Sequence, residues 1–204
     1  MARPRVRERL LDAAHGLLCD EGVAALTTRG VASRAGTTEA SVFNNFGDKA
    51  GLLRALVGER LPERLVVEQC IEQDNGAEME LWLCQVYLSA EAFYAEVVPL
   101  MAALWTGGVR DASGQVHEMS LFPLYCKLQH RLRIFQCEGR VAQAADIAVA
   151  SNLLLGAALH SALQRVSRDE ATETEGNGEE AVAPLAPSSS AEDIAGSLYT
   201  LIKP

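Results

Sequence analysis

Thr27-Thr28-Arg29-Gly30-Val31-Ala32-Ser33-Arg34-Ala35-Gly36-Thr37-Thr38-Glu39-Ala40-Ser41-Val42-Phe43-Asn44-Asn45-Phe46-Gly47-Asp48-Lys49 is the stretch on which the fold turns. Thr27 predicts the cap of a short helix, with Val31 and Ala32 facing inward and Arg29 and Arg34 outward. Gly36 falls where the chain must turn through a left-handed conformation, which glycine alone adopts cheaply. Thr38 then caps a second helix of barely two turns, Glu39 to Asn45. Val42, Phe43 and Phe46 anchor that helix, and Ala40, Ser41, Asn44 and Asn45 point away. Two short helices about a glycine turn, the second with an exposed polar face, form a helix-turn-helix, the device that lays a reading helix in the DNA major groove. Asp48 caps a long third segment and puts Lys49 in its first turn.

Upstream, Val6, Leu10, Ala14, Leu17 and Leu18 recur at helical spacing until Gly22 stops the pattern. Downstream, Leu52, Leu53, Leu56 and Val57 face inward on the helix from Asp48, and Pro62 either kinks or ends it. Gln73-Asp74-Asn75-Gly76 is a turn. A helix over 77–96 follows, then Pro99 and the run Leu100 to Trp105, then a loop marked by Gly107-Gly108 and 111–114. Further helices are expected over 117–137, closed by Gly139, and over 145–167. Residues 169–190 are acidic, then rich in Pro and Ser, with no Lys or Arg. That composition predicts a disordered linker. Ser190 and Asp193 form a capping box before a last helix whose Ile194, Leu198, Leu201 and Ile202 share one face.

With 49% apolar residues and few alternating β-branched runs, the chain is expected to be all-α. A three-helix N-terminal domain with the helix-turn-helix would occupy 1–60. A larger helical domain would occupy 61–204. No apolar run reaches the roughly 18 residues of a membrane span, and the basic start leads into an amphipathic helix, not a leader. A cytoplasmic protein is expected. The net charge of −9 hides an asymmetry: residues 1–64 hold ten Lys or Arg against eight acids, the remainder eight against nineteen. Positive charge is concentrated where phosphates would be met. Cys19, Cys70, Cys84, Cys126 and Cys137 are odd in number and show no Cys-x-x-Cys, so they read as small buried hydrophobes. The nucleophile-elbow, dinucleotide, phosphate-loop and zinc-protease signatures are all absent, so no enzyme is read here, and no cofactor. Cys126 and His130 lie four apart on one helical face, but two ligands do not make a metal site.

The run Thr-Thr-Arg-x-Val-Ala, Arg-Ala-Gly-Thr, Ser-Val-Phe-x-x-Phe, x-x-Lys-x-x-Leu-Leu resembles the N-terminal domain of the TetR family of bacterial transcription repressors. The likeness runs from Arg7 to about Leu56, a quarter of the chain. Gly30 stands where the family usually has an acid that closes a capping box, Phe43 replaces a usual Tyr, and Asn44 and Asn45 replace larger residues. The resemblance implies a homodimer, joined through the two C-terminal helices, that binds a palindromic operator in double-stranded DNA. It also implies release by a small-molecule effector, expected to be mainly apolar. Base contacts fall to Thr38, Glu39, Ala40, Ser41, Asn44 and Asn45, with Phe43 beside them. Phosphate contacts fall to Thr27, Thr28, Arg29 and Lys49. Tyr87, Phe93, Tyr94, Trp105, Phe122, Tyr125 and His160 are the candidates to line the effector pocket. The competing readings are a protein–protein adaptor built on an old helix-turn-helix, and a metal- or thiol-responsive sensor.

Overall fold

A computed structural model describes residues 5–73, 76, 78–106, 122–174 and 190–204 of the chain. Among them are nine α-helices and one 3-10 turn, and no strand. They form two compact units: Met1–Pro62 with Pro99–Met119, and Glu63–Val98 with Ser120–Pro204.

The first unit holds α1 (Val6–Glu21), a 3-10 turn (Val23–Ala25), α2 (Thr28–Arg34), α3 (Glu39–Phe46) and α4 (Lys49–Glu59). Leu10, Leu11, Ala14, Leu26, Val31, Val42, Leu52, Leu53 and Leu56 are fully buried and make its core. Each buried Leu or Val contributes about 1.5–3 kcal/mol, which outweighs the weak intrinsic helicity of segments seven and eight residues long. The Thr27 hydroxyl accepts from the Gly30 N–H at 2.9 Å, and the Asp48 carboxylate from the Gly51 N–H at 2.6 Å. Both caps were legible in the sequence. Thr38 holds the cap position of α3, but its hydroxyl meets Ser41 Oγ at 3.1 Å instead of a backbone N–H. Phe43, expected as an anchor, is 48% exposed, leaving Val42 to fix α3 to the core.

The helix from Asp48 ends at Glu59, and Pro62 opens the next one, α5 (Pro62–Glu72). A proline at a first helical position lacks only an N–H that would have no partner anyway. Of the two readings of Pro62, a kink or an end, the structure has the end: α4 and α5 are separate, with Arg60 and Leu61 between them.

The second unit takes in α5, most of α6 (Met79–Thr106), α7 (Phe122–Cys137), α8 (Ile147–Thr174) and α9 (Ala191–Ile202). α6 continues through Pro99, where the sequence predicted a break. Val97 and Leu100 on either side are fully buried, and that burial holds the helix despite the lost hydrogen bond. α8 runs to Thr174, so 169–174 of the expected linker are helical, and 175–189 lie outside the described residues. The expected start of α7 at 117–121 lies outside them too. Ser190 and Asp193 close the capping box of α9 as read. Trp82 meets the Phe135 ring edge-on at 5.0 Å and donates its Nε1–H to the Cys70 carbonyl at 3.0 Å, joining α6 to α7 and α5. The Lys127 ammonium of α7 bridges to Glu68, at 3.0 Å, and Glu72 of α5. Ile147–Arg168 is long and apolar enough to cross a membrane by length and composition, contrary to the sequence reading. In the fold, Ala150, Leu154, Ala158 and Ala162 of this helix are buried, and it packs on α7 and α9.

Candidate nucleic-acid interface

The turn between α2 and α3 is built by a glycine and by an arginine from another helix. Gly36 sits at φ 63°, and Arg9 of α1 donates to the Ala35 carbonyl and, at 3.4 Å, to the Gly36 carbonyl. Arg9 thus caps the end of α2 with a charge that also favours the negative end of the helix dipole. Arg7, two residues earlier in the chain, places its guanidinium 5.3 Å over the Phe46 ring and forks onto the Glu59 carboxylate at 2.5 and 2.6 Å. That fork raises the already high Arg7 pKa. One side chain therefore joins α1 to the ends of both α3 and α4. Arg60 bonds Asp12 at 2.8 Å, and Arg34 turns back onto Asp20 and Glu21 of α1. These frame residues were missed in the sequence, because in one dimension Arg7, Arg9 and Arg34 read only as positive charge.

α3 meets α4 without space for a methyl group. A Cβ on Gly51 would lie 1.9 Å from the Phe46 carbonyl oxygen. Only glycine lets the start of α4 approach the end of α3 so closely, and this sets the pitch at which α3 leaves the core.

The exposed side of α3 carries the residues expected to read bases. Thr38, Glu39, Ala40, Asn44 and Asn45 are exposed, and Ser41 is half-buried. They are not equally free. The Ser41 hydroxyl lies between Thr37 Oγ1, at 3.0 Å, and Thr38 Oγ1. Asn45 donates its amide to the Ser41 carbonyl at 2.7 Å. Thr28 Oγ1 donates to Glu39 Oε1 at 2.5 Å. Ala40 and Asn44 project with no hydrogen-bond partner among the described residues. Of the residues expected at phosphates, the Thr27 hydroxyl is engaged in its cap, while Arg29, exposed, and Lys49, half-buried, have no partner among the described residues. Gly30 has its own reason: a Cβ there would stand 2.9 Å from Thr27 Oγ1 and 3.0 Å from the Ala25 carbonyl.

The effector-pocket candidates whose side chains are described are scattered within the second unit, while Trp105 falls in the first. Tyr87, Phe93 and Tyr94 are buried on α6, with the Phe93 and Tyr94 ring centres 5.6 Å apart. Tyr87 shares a 2.7 Å hydrogen bond with Ser161 and lines a 230 Å³ pocket with Leu88, Glu91, Gln164, Arg165 and Arg168. Burial pushes the Tyr94 phenol up to about 12. Tyr125 is half-buried near Asn152, and His160 is exposed beside Gln164. The side chains of Trp105 and Phe122 lie outside the described residues. A second cavity, 260 Å³, runs between α8 and α9, lined by Leu153, Leu154, Ala157, Ile194, Leu198 and Leu201 among others. All five cysteines carry free thiols; Cys19, Cys126 and Cys137 are exposed, against the expectation of buried hydrophobes. No group of three metal-ligating side chains occurs among the described residues.

Among the described residues, a head with its helix-turn-helix presented outward and a remainder that is helical define a class: the all-helical fold with an N-terminal helix-turn-helix. Within that class the N-terminal head is similar to that of the TetR family. The model for bacterial regulatory proteins of the tetR family matches residues 10–56. The uncharacterized HTH-type transcriptional regulator YvkB of Bacillus subtilis is 39% identical over 69 residues, 34% of this chain and 35% of that protein. The HTH-type transcriptional regulator AlkX of Mycobacterium tuberculosis is 29% identical over 135 residues, 64% of this chain and 62% of that one. The matched part thus spans about a third and somewhat under two thirds of these relatives. Among solved structures, a putative TetR-family regulator from Mesorhizobium loti superposes with a TM-score of 0.64 at 18% identity, covering 98% of this chain and 97% of its own. GusR of Salmonella enterica gives 0.62 at 19% identity, covering 97% and 95%. At such identities the likeness speaks for the fold.

Proposed function

We propose that the chain is a DNA-binding transcription regulator that represses by occupying a palindromic operator as a homodimer and is released by a small molecule. The observation that carries this reading is α3: a short helix pinned on one side by Val42, Gly51 and Arg7, with its other side exposed and polar. Residues 1–60 would form the reading domain, and 61–204 the part for effector binding and dimerisation. Lys49 and Arg29, cations with no partner among the described residues, supply the phosphate contacts. Ala40, Asn44 and Asn45 supply base contacts, Asn through adenine N6 and N7 and Ala through the thymine methyl.

Dimerisation through α8 and α9 is supported by their outward apolar side chains, Val149, Leu153, Leu163 and Leu201, and by the open face at Gly156, where a Cβ would meet nothing. A twofold dimer matches two half-sites one DNA turn apart. Effector binding in the second unit is supported by buried aromatics that carry hydroxyls. The protein would act in the cytoplasm, where its operator lies.

Fluorescence anisotropy with the DNA flanking its own gene tests the reading. Saturable binding at low salt that weakens steeply as salt rises is expected. No binding to any flanking fragment would overturn it in favour of an adaptor.

A further inference from the structure

Glu39 is an anomaly on a surface meant for DNA. Its carboxylate is exposed in the first turn of α3, and the described residues offer it no ion pair. Facing phosphates it would be repelled. The only major-groove groups that welcome an acceptor are the amino groups of cytosine and adenine. Adenine presents its amino group beside the N7 acceptor, which a carboxylate also avoids, whereas cytosine presents N4–H₂ alone. The carboxylate is moreover held in place. Thr28 Oγ1, at the first position of α2, donates to Glu39 Oε1 at 2.5 Å. A hydroxyl has one proton, so a Thr28 hydroxyl given to Glu39 is not available to donate to a phosphate.

Resting on the DNA-reading function proposed above, we infer that Glu39 is a specificity-determining residue that selects a cytosine in each half-site by accepting from its N4 amino group, and that Thr28 is a positioning residue which orients the Glu39 carboxylate rather than a phosphate ligand. Glu39 Oε1 stays bonded to Thr28 while Oε2 faces the groove. A charged acceptor with one oxygen already anchored loses little freedom on meeting its base, and charge-assisted bonds of this kind are the stronger ones.

The test is selection from a randomised duplex library with the full chain and with Glu39→Gln, Thr28→Val, Thr28→Ser and the Glu39→Gln/Thr28→Val double variant. Wild type is expected to enrich cytosine at one position of each half-site. Glu39→Gln, which can donate as well as accept, should flatten that preference about tenfold, equivalent to about 1.4 kcal/mol, and leave other positions unchanged. Thr28→Val should weaken preference at the same position, Thr28→Ser should restore it, and the double variant should add nothing there to Glu39→Gln. An enriched motif that survives Glu39→Gln unaltered overturns this inference alone. Thr28→Val lowering affinity for all sequences alike, with the motif intact, overturns the positioning role and returns Thr28 to the phosphates. If wild type enriches no sequence, the DNA-reading function falls together with this inference.

Discussion

At Gly51 one missing atom decides the geometry of the reading head. A methyl group 1.9 Å from the Phe46 carbonyl has nowhere to go, because both neighbours are backbone. Gly51→Ala should therefore destabilise by about 1–3 kcal/mol, measured by chemical denaturation, and should cost more in operator affinity than in stability because α3 must move. Lys49→Ala should act quite differently. It should leave the melting temperature unchanged, weaken all DNA sequences alike and lower the salt slope by about one per subunit. A changed sequence preference with the slope intact would contradict that role. Asn45 rests on the Ser41 carbonyl and must leave it to read a base. Asn45→Ala should still relax preference at one position of each half-site, by roughly 1–3 kcal/mol. The caps at Thr27 and Asp48 and the turn at Gly36 were readable in the sequence, since each depends on chemistry within three residues. The roles of Arg7, Arg9 and Gly51 were not, because their partners are set only by the way α1, α3 and α4 cross.

Helix boundaries divide along the same line. Local signals placed the starts of α2, α4 and α9, whereas the continuity of α6 through Pro99 depends on burial no local rule supplies. At the α4–α5 junction the proline opens a helix, where the sequence left open whether it kinked or ended the one from Asp48. Pro62→Ala should be nearly neutral in stability, by thermal melting, because position N1 loses no bond. The join between α5 and α7 is electrostatic. Burial pushes the Glu68 carboxyl up, but hydrogen bonds from Lys127 and Arg64, and the nearness of their charges, outweigh it and hold the group below the usual carboxylate range. The Lys127 ammonium is raised, first by Glu72 and then by Glu68. A depressed carboxylate stabilises the fold above its unfolded pKa and ceases to as pH falls through its folded one. A raised ammonium stabilises below its unfolded pKa and ceases to as pH rises through its folded one. Stability should thus sag below the ordinary carboxylate range and again in strong alkali. Glu68→Gln should blunt the acid limb and cost about 1 kcal/mol, or about 2–4 °C in melting temperature for a chain of this size.

For the whole molecule, the acidic remainder of the chain and its slightly basic first 64 residues would favour the proposed DNA approach at the head. Two such heads gain from acting together only if the chain pairs, and the α8–α9 groove is where the proposed pairing can be broken. Ala157, half-buried in that groove, is small enough to let a second helix close in. Ala157→Arg should split the dimer in light scattering and abolish operator binding while circular dichroism stays helical; an unchanged dimer would refute the assignment. Spin labels at the two copies of Asn45 should change their separation when an effector releases the operator. An unaltered distance distribution with full release would rule out a spacing mechanism.

Ala40 and Asn44 project from α3 with side chains that bond to nothing among the described residues, while the residues that hold α3 in place lie on its other side and on other helices. Mutation can therefore rewrite the outward letters without touching the frame. A gene duplicate of this chain could drift to a new target sequence one substitution at a time, each intermediate folding as well as its parent. Lineages of such proteins would diverge in address long before they diverged in shape.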